Sequence, residues 1–187
     1  YIVGYTDGTF GPSRSMTRSE AAAIFARLLA EKNGDTISTA ANTKFADIPA
    51  HAWYSGYVKY LSNNGITYGK SKTIFAPNDA ITRAEFTTMA VRFFDVYGDG
   101  DAEIMEQFSG FNDVSSGYWA AEYIKYAALH GWINGYGDGS FHAEREINRA
   151  EVVTIVNRLL GREADEDYIA DNLRKLNTFP DVSRKHW

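Results

Sequence analysis

"ITRAE" at residues 81–85 returns as "MTRSE" at 16–20 and as "INRAE" at 147–151, and the purpose of five letters kept three times decides the fold. Thr17 and Thr82 stand three positions ahead of Glu20 and Glu85. That is capping-box spacing: the hydroxyl accepts the amide of the third helical residue, and the carboxylate reaches back to the cap's own amide. Asn148, three ahead of Glu151, is another good N-cap residue. Such a cap contributes about 1 kcal/mol. Behind each pentapeptide, apolar residues recur at i, i+3, i+4 and i+7: Ala21, Ile24, Phe25, Leu28; Phe86, Met89, Ala90, Phe93; Val152, Ile155, Val156, Leu159. This predicts three helices, each with one face turned to a core.

Capping makes no use of Arg18, Arg83 and Arg149, which fall on the first helical position, where a cation opposes the helix dipole. About 100° of rotation per residue puts them on the flank of the stripe, beside a neighbouring element. Two readings stay open: an ion pair to the adjacent repeat, or a ligand outside the fold. Arg27, Arg92 and Arg158, near the helix ends, suit the dipole and require no ligand.

A second element keeps step with the first. "FADIPAHAW" (45–53), "FNDVSSGYW" (111–119) and "FPDVSRKHW" (179–187) each run Phe, one residue, Asp, then Trp eight positions after the Phe. Helices led by Trp53 and Trp119 follow, with Tyr57, Val58, Leu61 and Tyr123, Ile124, Ala127 on their stripes and Gly65 and Gly131 at the C-terminal caps. "GYTDGTF" and "GYGDGSF" carry Asp-Gly turn chemistry, but the middle copy reads "GKSKTIF", so its turn must be built differently. The reading is of a tandem repeat. Residues 1–44 are the second half of one unit plus a connector, 45–110 and 111–178 are whole units with connectors, and 179–187 start a further unit expected to complete the first in space.

The totals bound the function. A chain of 187 residues, 44% apolar, folds around a core. A net charge of −5 supplies no global field toward nucleic acid or acidic lipid, so nucleic acid is not an expected partner. No cysteine means no disulfide, thiolate metal site or thiol nucleophile. There is no apolar run of membrane-spanning length, so no membrane insertion is expected; the opening "YIVGYTDGTF" lacks signal-peptide order and reads as mid-protein.

Phe-x-Asp-(Val/Ile), a Trp-led helix, a Gly-Tyr-x-Asp-Gly-(Thr/Ser)-Phe turn and (Ile/Met)-(Thr/Asn)-Arg-(Ala/Ser)-Glu, in that order and spacing, resemble the S-layer homology family over nearly the whole chain except the connectors. The resemblance implies a mainly α fold: three helix-loop-helix repeats in a pseudo-threefold spindle with short turns and minimal β. It also implies a non-catalytic module, secreted and held at the bacterial cell wall or S-layer surface. Such a module anchors the covalently linked remainder of a larger surface protein by binding secondary cell-wall polysaccharide, often pyruvylated, in grooves between repeats, with no cofactor. Carried over residue by residue, the family's motif falls on Thr17, Arg18 and Glu20; on Thr82, Arg83 and Glu85; and on Asn148, Arg149 and Glu151. The helix Trp falls on Trp53, Trp119 and Trp187, and the turn glycine on Gly4, Gly69 and Gly135. Three departures, the lost Asp-Gly in "GKSKTIF", Asn148 for Thr, and "FHAER" without the Pro of "FGPSR" and "FAPND", predict that the three grooves are not equal.

Other chemistry is scarce. His51, His130, His142 and His186 form no His-Glu-x-x-His pattern, and neither a Gly-x-Ser-x-Gly elbow nor a phosphate loop occurs. Asp95, Asp99, Gly100, Asp101, Glu103 and Glu106 fall on calcium-loop positions, but Tyr97 stands at the third. Two alternatives to wall anchoring remain: a structural or protein-interaction repeat that uses its arginines for inter-repeat ion pairs, and a glycoside hydrolase using paired carboxylates. The second is disfavoured because the repeated Asp and Glu already have turn and capping roles.

Overall fold

The structure, a computed structural model, describes residues 2–98, 108–162 and 179–182. Among them are five helices: α1 (Arg18–Asn33), α2 (Ser55–Asn63), α3 (Arg83–Tyr97), α4 (Ala121–Leu129) and α5 (Arg149–Leu159). The only β pairing among the described residues is three isolated bridges, Ser15 with Asn148, Thr17 with Ala80 and Thr82 with Glu146. The three long helices begin with complete capping boxes, including the one built on Asn148. The twelve stripe residues named above are all buried. α1 packs on α2 and α3 on α4, while α3 also contacts both α1 and α5; between α1 and α3, Phe25 lies against Phe86 and Phe93.

The long helices are tied into a ring. A helix leaves its first amides without intrahelical partners, and here the next repeat supplies the acceptors. Arg18 and Ser19 donate to the carbonyls of Asp79 and Pro77, Arg83 and Ala84 to those of Arg145 and Ala143, and Arg149 and Ala150 to those of Arg14 and Pro12. At the centre, Met16 donates to Ile147, Ile147 to Ile81 and Ile81 back to Met16, at 2.9–3.0 Å. The three copies therefore satisfy one another cyclically.

The Phe-x-Asp element has an equally regular task. The Asp47 carboxylate accepts the amides of Phe75 and Ala76, Asp113 those of Phe141 and His142, and Asp181 those of Phe10 and Gly11. Gly11, Ala76 and His142 all have positive φ, so the carboxylate holds a left-handed corner in place. Phe45, Phe111 and Phe179 pack on Phe75, Phe141 and Phe10 with centroids 5.2–5.5 Å apart. A Cβ at Gly69, Gly135 or Gly4 would run into those same first three rings, which is why glycine stands there. In the middle turn Ser71 Oγ takes the place of the aspartate, accepting from Thr73 and Ile74, and Gly69 itself adopts φ +80°.

Candidate functional site

Three clefts lie between neighbouring repeats, and each is built in the same way. One wall is a helical stripe that starts at the capping glutamate: Glu20, Ala23, Ile24 and Arg27 on α1; Glu85, Thr88, Met89 and Arg92 on α3; Glu151, Thr154, Ile155 and Arg158 on α5. The opposite wall brings the turn glycine and the first-position arginine of another repeat. Gly69 and Arg18 face the α3 stripe, Gly135 and Arg83 the α5 stripe, and Gly4 and Arg149 the α1 stripe. The cavities measure about 80 Å³ at Arg18, 300 Å³ at Arg83 and 220 Å³ at Arg149.

The arginines are anchored alike at one nitrogen. Each is buried, and each Nε donates at 2.8 Å to a turn carbonyl: Arg18 to Phe75, Arg83 to Phe141 and Arg149 to Phe10. Their remaining nitrogens diverge. Arg18 Nη1 pairs with Glu85 Oε1 at 2.9 Å. Arg83 Nη1 pairs with Glu151 Oε1 at 2.7 Å, and its Nη2 donates to the Asn134 carbonyl. Burial pulls the Arg83 pKa down, against the opposing pull of Tyr136 and Glu151. Arg145 and the Tyr136 hydroxyl converge on the same Glu151 oxygen. Arg149 donates Nη2 to the Val3 carbonyl at 2.7 Å and makes no ion pair among the described residues, while Glu20, its counterpart, uses Oε2 on the Thr17 amide.

Of the two readings left open for these arginines, the ion pair to the adjacent repeat is present at Arg18 and Arg83. At Arg18 and Arg83 the carboxylate left over from a neighbour's capping box lies within ion-pair reach, and a buried cation takes such a partner. Arg149 makes no such pair among the described residues; its partners there are the Phe10 and Val3 carbonyls. Thr17, Thr82 and Asn148 serve as helix caps.

Trp53 and Trp119 depart from their apolar stripes. They are 54% and 56% exposed, whereas Val58, Leu61, Ile124 and Ala127 behind them are buried. Trp53 lines the Arg149 cleft and Trp119 the Arg18 cleft. Trp187 lies outside the described residues, as do Asp99, Gly100, Asp101, Glu103 and Glu106 of the acidic connector. Among the described residues no group of three or more His, Asp or Glu side chains converges as a metal site, and no helix is long and apolar enough to cross a membrane.

Arg27 and Arg92 were assigned above to dipole duty only, yet both stand in clefts, their guanidinium groups 5.0 Å from the Tyr57 and Tyr123 ring centroids. The signal was present in the sequence. Glu20 to Arg27 and Glu85 to Arg92 are seven residues apart, two helical turns along one face.

Compared with known proteins, residues 1–22, 44–87 and 110–153 match the S-layer homology domain. Cell surface glycoprotein 1 of Acetivibrio thermocellus is 35% identical over 100% of this chain, the match covering 8% of that protein. The Cellulosome-anchoring protein of the same organism is 33% identical over 87% of the chain and 36% of its own length. The Surface-layer 125 kDa protein of Lysinibacillus sphaericus is 32% identical over 85% of the chain and 13% of its length. The chain thus spans between 8% and 36% of these relatives.

Proposed function

Because the chain belongs to the S-layer homology domain family, we propose that it is a non-catalytic module fixing a larger surface protein to the bacterial cell wall by holding secondary cell-wall polysaccharide in its inter-repeat clefts. Relatives named as a surface glycoprotein, a cellulosome anchor and a surface-layer protein support the anchoring role. The observation that carries the ligand assignment is Arg149. It is buried, oriented by two carbonyls, unpaired with any described carboxylate, and set in a cleft with Trp53 on the rim. A pyruvate ketal on a sugar presents a carboxylate that a guanidinium receives through charge-assisted hydrogen bonds, whereas Lys offers only a point charge. The Trp53 face covers the apolar side of the ring. Glu20 is placed to accept hydroxyls and, like Glu85 and Glu151, acts in capping, not in proton transfer.

In this reading 45–110 and 111–178 act as whole units, and 179–187 supply the start of the unit whose second half is 1–44; Phe179 on Phe10 and Asp181 on the Phe10 and Gly11 amides support that pairing. A repetitive polymer engaged at more than one cleft is retained by effective concentration, with no covalent bond.

A structural reading draws on the Arg18–Glu85 and Arg83–Glu151 pairs, and it assigns those two arginines to holding repeats together. Co-sedimentation with purified wall polymer separates the roles. Arg149→Ala is expected to abolish retention at a temperature where the variant is still folded, its thermal transition remaining cooperative though lowered by about 3–12 °C. Full retention by that variant would refute the assignment.

A further inference from the structure

The Arg18 cleft shares its arginine–glutamate pair with the Arg83 cleft, and differs from both counterparts at Lys70, Asp79 and Tyr68. Its arginine is bound to Glu85 and to the Phe75 carbonyl. Lys70 pairs with Asp79 at 3.0 Å, where the equivalent positions elsewhere hold Tyr5 with Arg14 and Tyr136 with Arg145. Arg92 sits 4.7 Å from the Tyr68 centroid and 5.0 Å from that of Tyr123, and donates to the Tyr123 hydroxyl at 3.1 Å. Tyr68 occupies the place of Val3 and Asn134 and narrows the space to about 80 Å³. Every cation at this cleft has its partner within the fold.

What the cleft offers in exchange is aromatic surface. Trp119 and Tyr68 are both more than half exposed on its rim. Thr88 lines the space below them, and its buried hydroxyl makes no hydrogen bond within the described residues, whereas Thr154 in the Arg83 cleft donates to the Ala150 carbonyl.

Resting on the wall-polymer reading above, we propose that the Arg18 cleft receives an uncharged sugar residue of the polymer, while the Arg149 cleft receives an acidic one. The sugar's apolar face lies on Trp119 and Tyr68, and one small arm, a hydroxymethyl or acetamido group, enters the cavity beside Thr88. A carboxylate there would have to pull Arg18 from Glu85 and leave a part-buried Glu85 unpaired, which selects against acids. The module then reads two different residues of one polymer at two places.

Indole N–H signals in nitrogen-15 spectra report the two clefts separately through Trp119 and Trp53. The uncharged probe is a β-1,4-linked N-acetylglucosamine tetrasaccharide; the acidic probe is methyl 4,6-O-(1-carboxyethylidene)-glucopyranoside. The tetrasaccharide is expected to shift Trp119. Its affinity should fall about tenfold or more in Tyr68→Ala and Trp119→Ala, remain unchanged in Arg149→Met, and vary less than about twofold between 0.05 and 0.5 M salt. The acidic probe is expected to shift Trp53 and to lose binding in Arg149→Met. A tetrasaccharide that shifts neither indole, or an acidic probe that binds at Trp119, overturns this inference. If the acidic probe still shifts Trp53 in that case, wall anchoring through Arg149 stands. If wall polymer itself shifts neither indole, the anchoring reading falls with it.

Discussion

Replacing Arg18 by Met and Glu85 by Gln, singly and together, measures how far the fold consumes this guanidinium; the same cycle on Arg149 and Glu20 measures how far it does not. Breaking a buried ion pair costs about 3–5 kcal/mol when the partner is left behind. Glu85 keeps some exposure, so Arg18→Met belongs near the lower end, about 3 kcal/mol. At about 2–4 °C per kcal/mol for a chain of this size, the transition falls by about 6–12 °C. Arg149→Met removes donors from the Phe10 and Val3 carbonyls but strands no described carboxylate, and the Val3 end is open to water. Its cost is about 1.5–3 kcal/mol. The coupling energies discriminate best: about 1–3 kcal/mol for Arg18 with Glu85, and under about 0.5 kcal/mol for Arg149 with Glu20. Urea unfolding at pH 7, followed by circular dichroism with the denaturant slope held common, gives both numbers. A coupling for Arg149 with Glu20 as large as that for Arg18 with Glu85 would show the third guanidinium to be satisfied already, and the reasoning that leaves it for an outside acid would fail.

Ala76→Gly should raise stability by about 0.5–1 kcal/mol, because Ala76 holds φ +59° at a corner where glycine bears no Cβ penalty; a fall in the urea midpoint would refute this. Gly69→Ala should destabilise by more than that amount, since the new methyl meets Phe45 and backbone at φ +80°, and calorimetry reads the loss directly. Burial works against ionisation of Asp113, but the amides of Phe141 and His142 outweigh it and hold its carboxyl below the usual value of 3.8. A depressed folded-state pKa contributes stability that is complete above the unfolded value and is lost as pH falls through the folded one. Asp113→Asn should therefore flatten the loss of stability below about pH 4 relative to the parent, as urea titrations at pH 2–5 will register.

The helices, their caps and their buried faces were legible because periodicity and capping chemistry act within a few residues. Thr17 with Glu20 announces a helix start wherever the rest of the chain lies. Partner choice was not legible. Arg18 and Arg149 sit in nearly the same local sequence, yet one meets Glu85 and the other only carbonyls, a difference made 67 residues away in one case and across the ring closure in the other. Trp53 illustrates the same limit: its stripe position suggests burial, but what exposes it is the depth of a cleft formed with another repeat. Asp47, Asp113 and Asp181 were visible as a conserved spacing within the chain, and only the fold reveals that they clamp a left-handed corner.

None of the three long helices among the described residues finishes its own entrance. The loop at Pro12 and Arg14 completes α5, that at Pro77 and Asp79 completes α1, and that at Ala143 and Arg145 completes α3. Deleting any single copy would strip acceptors from one survivor and orphan the donated loop of another. Such an architecture is expected to unfold in one cooperative transition.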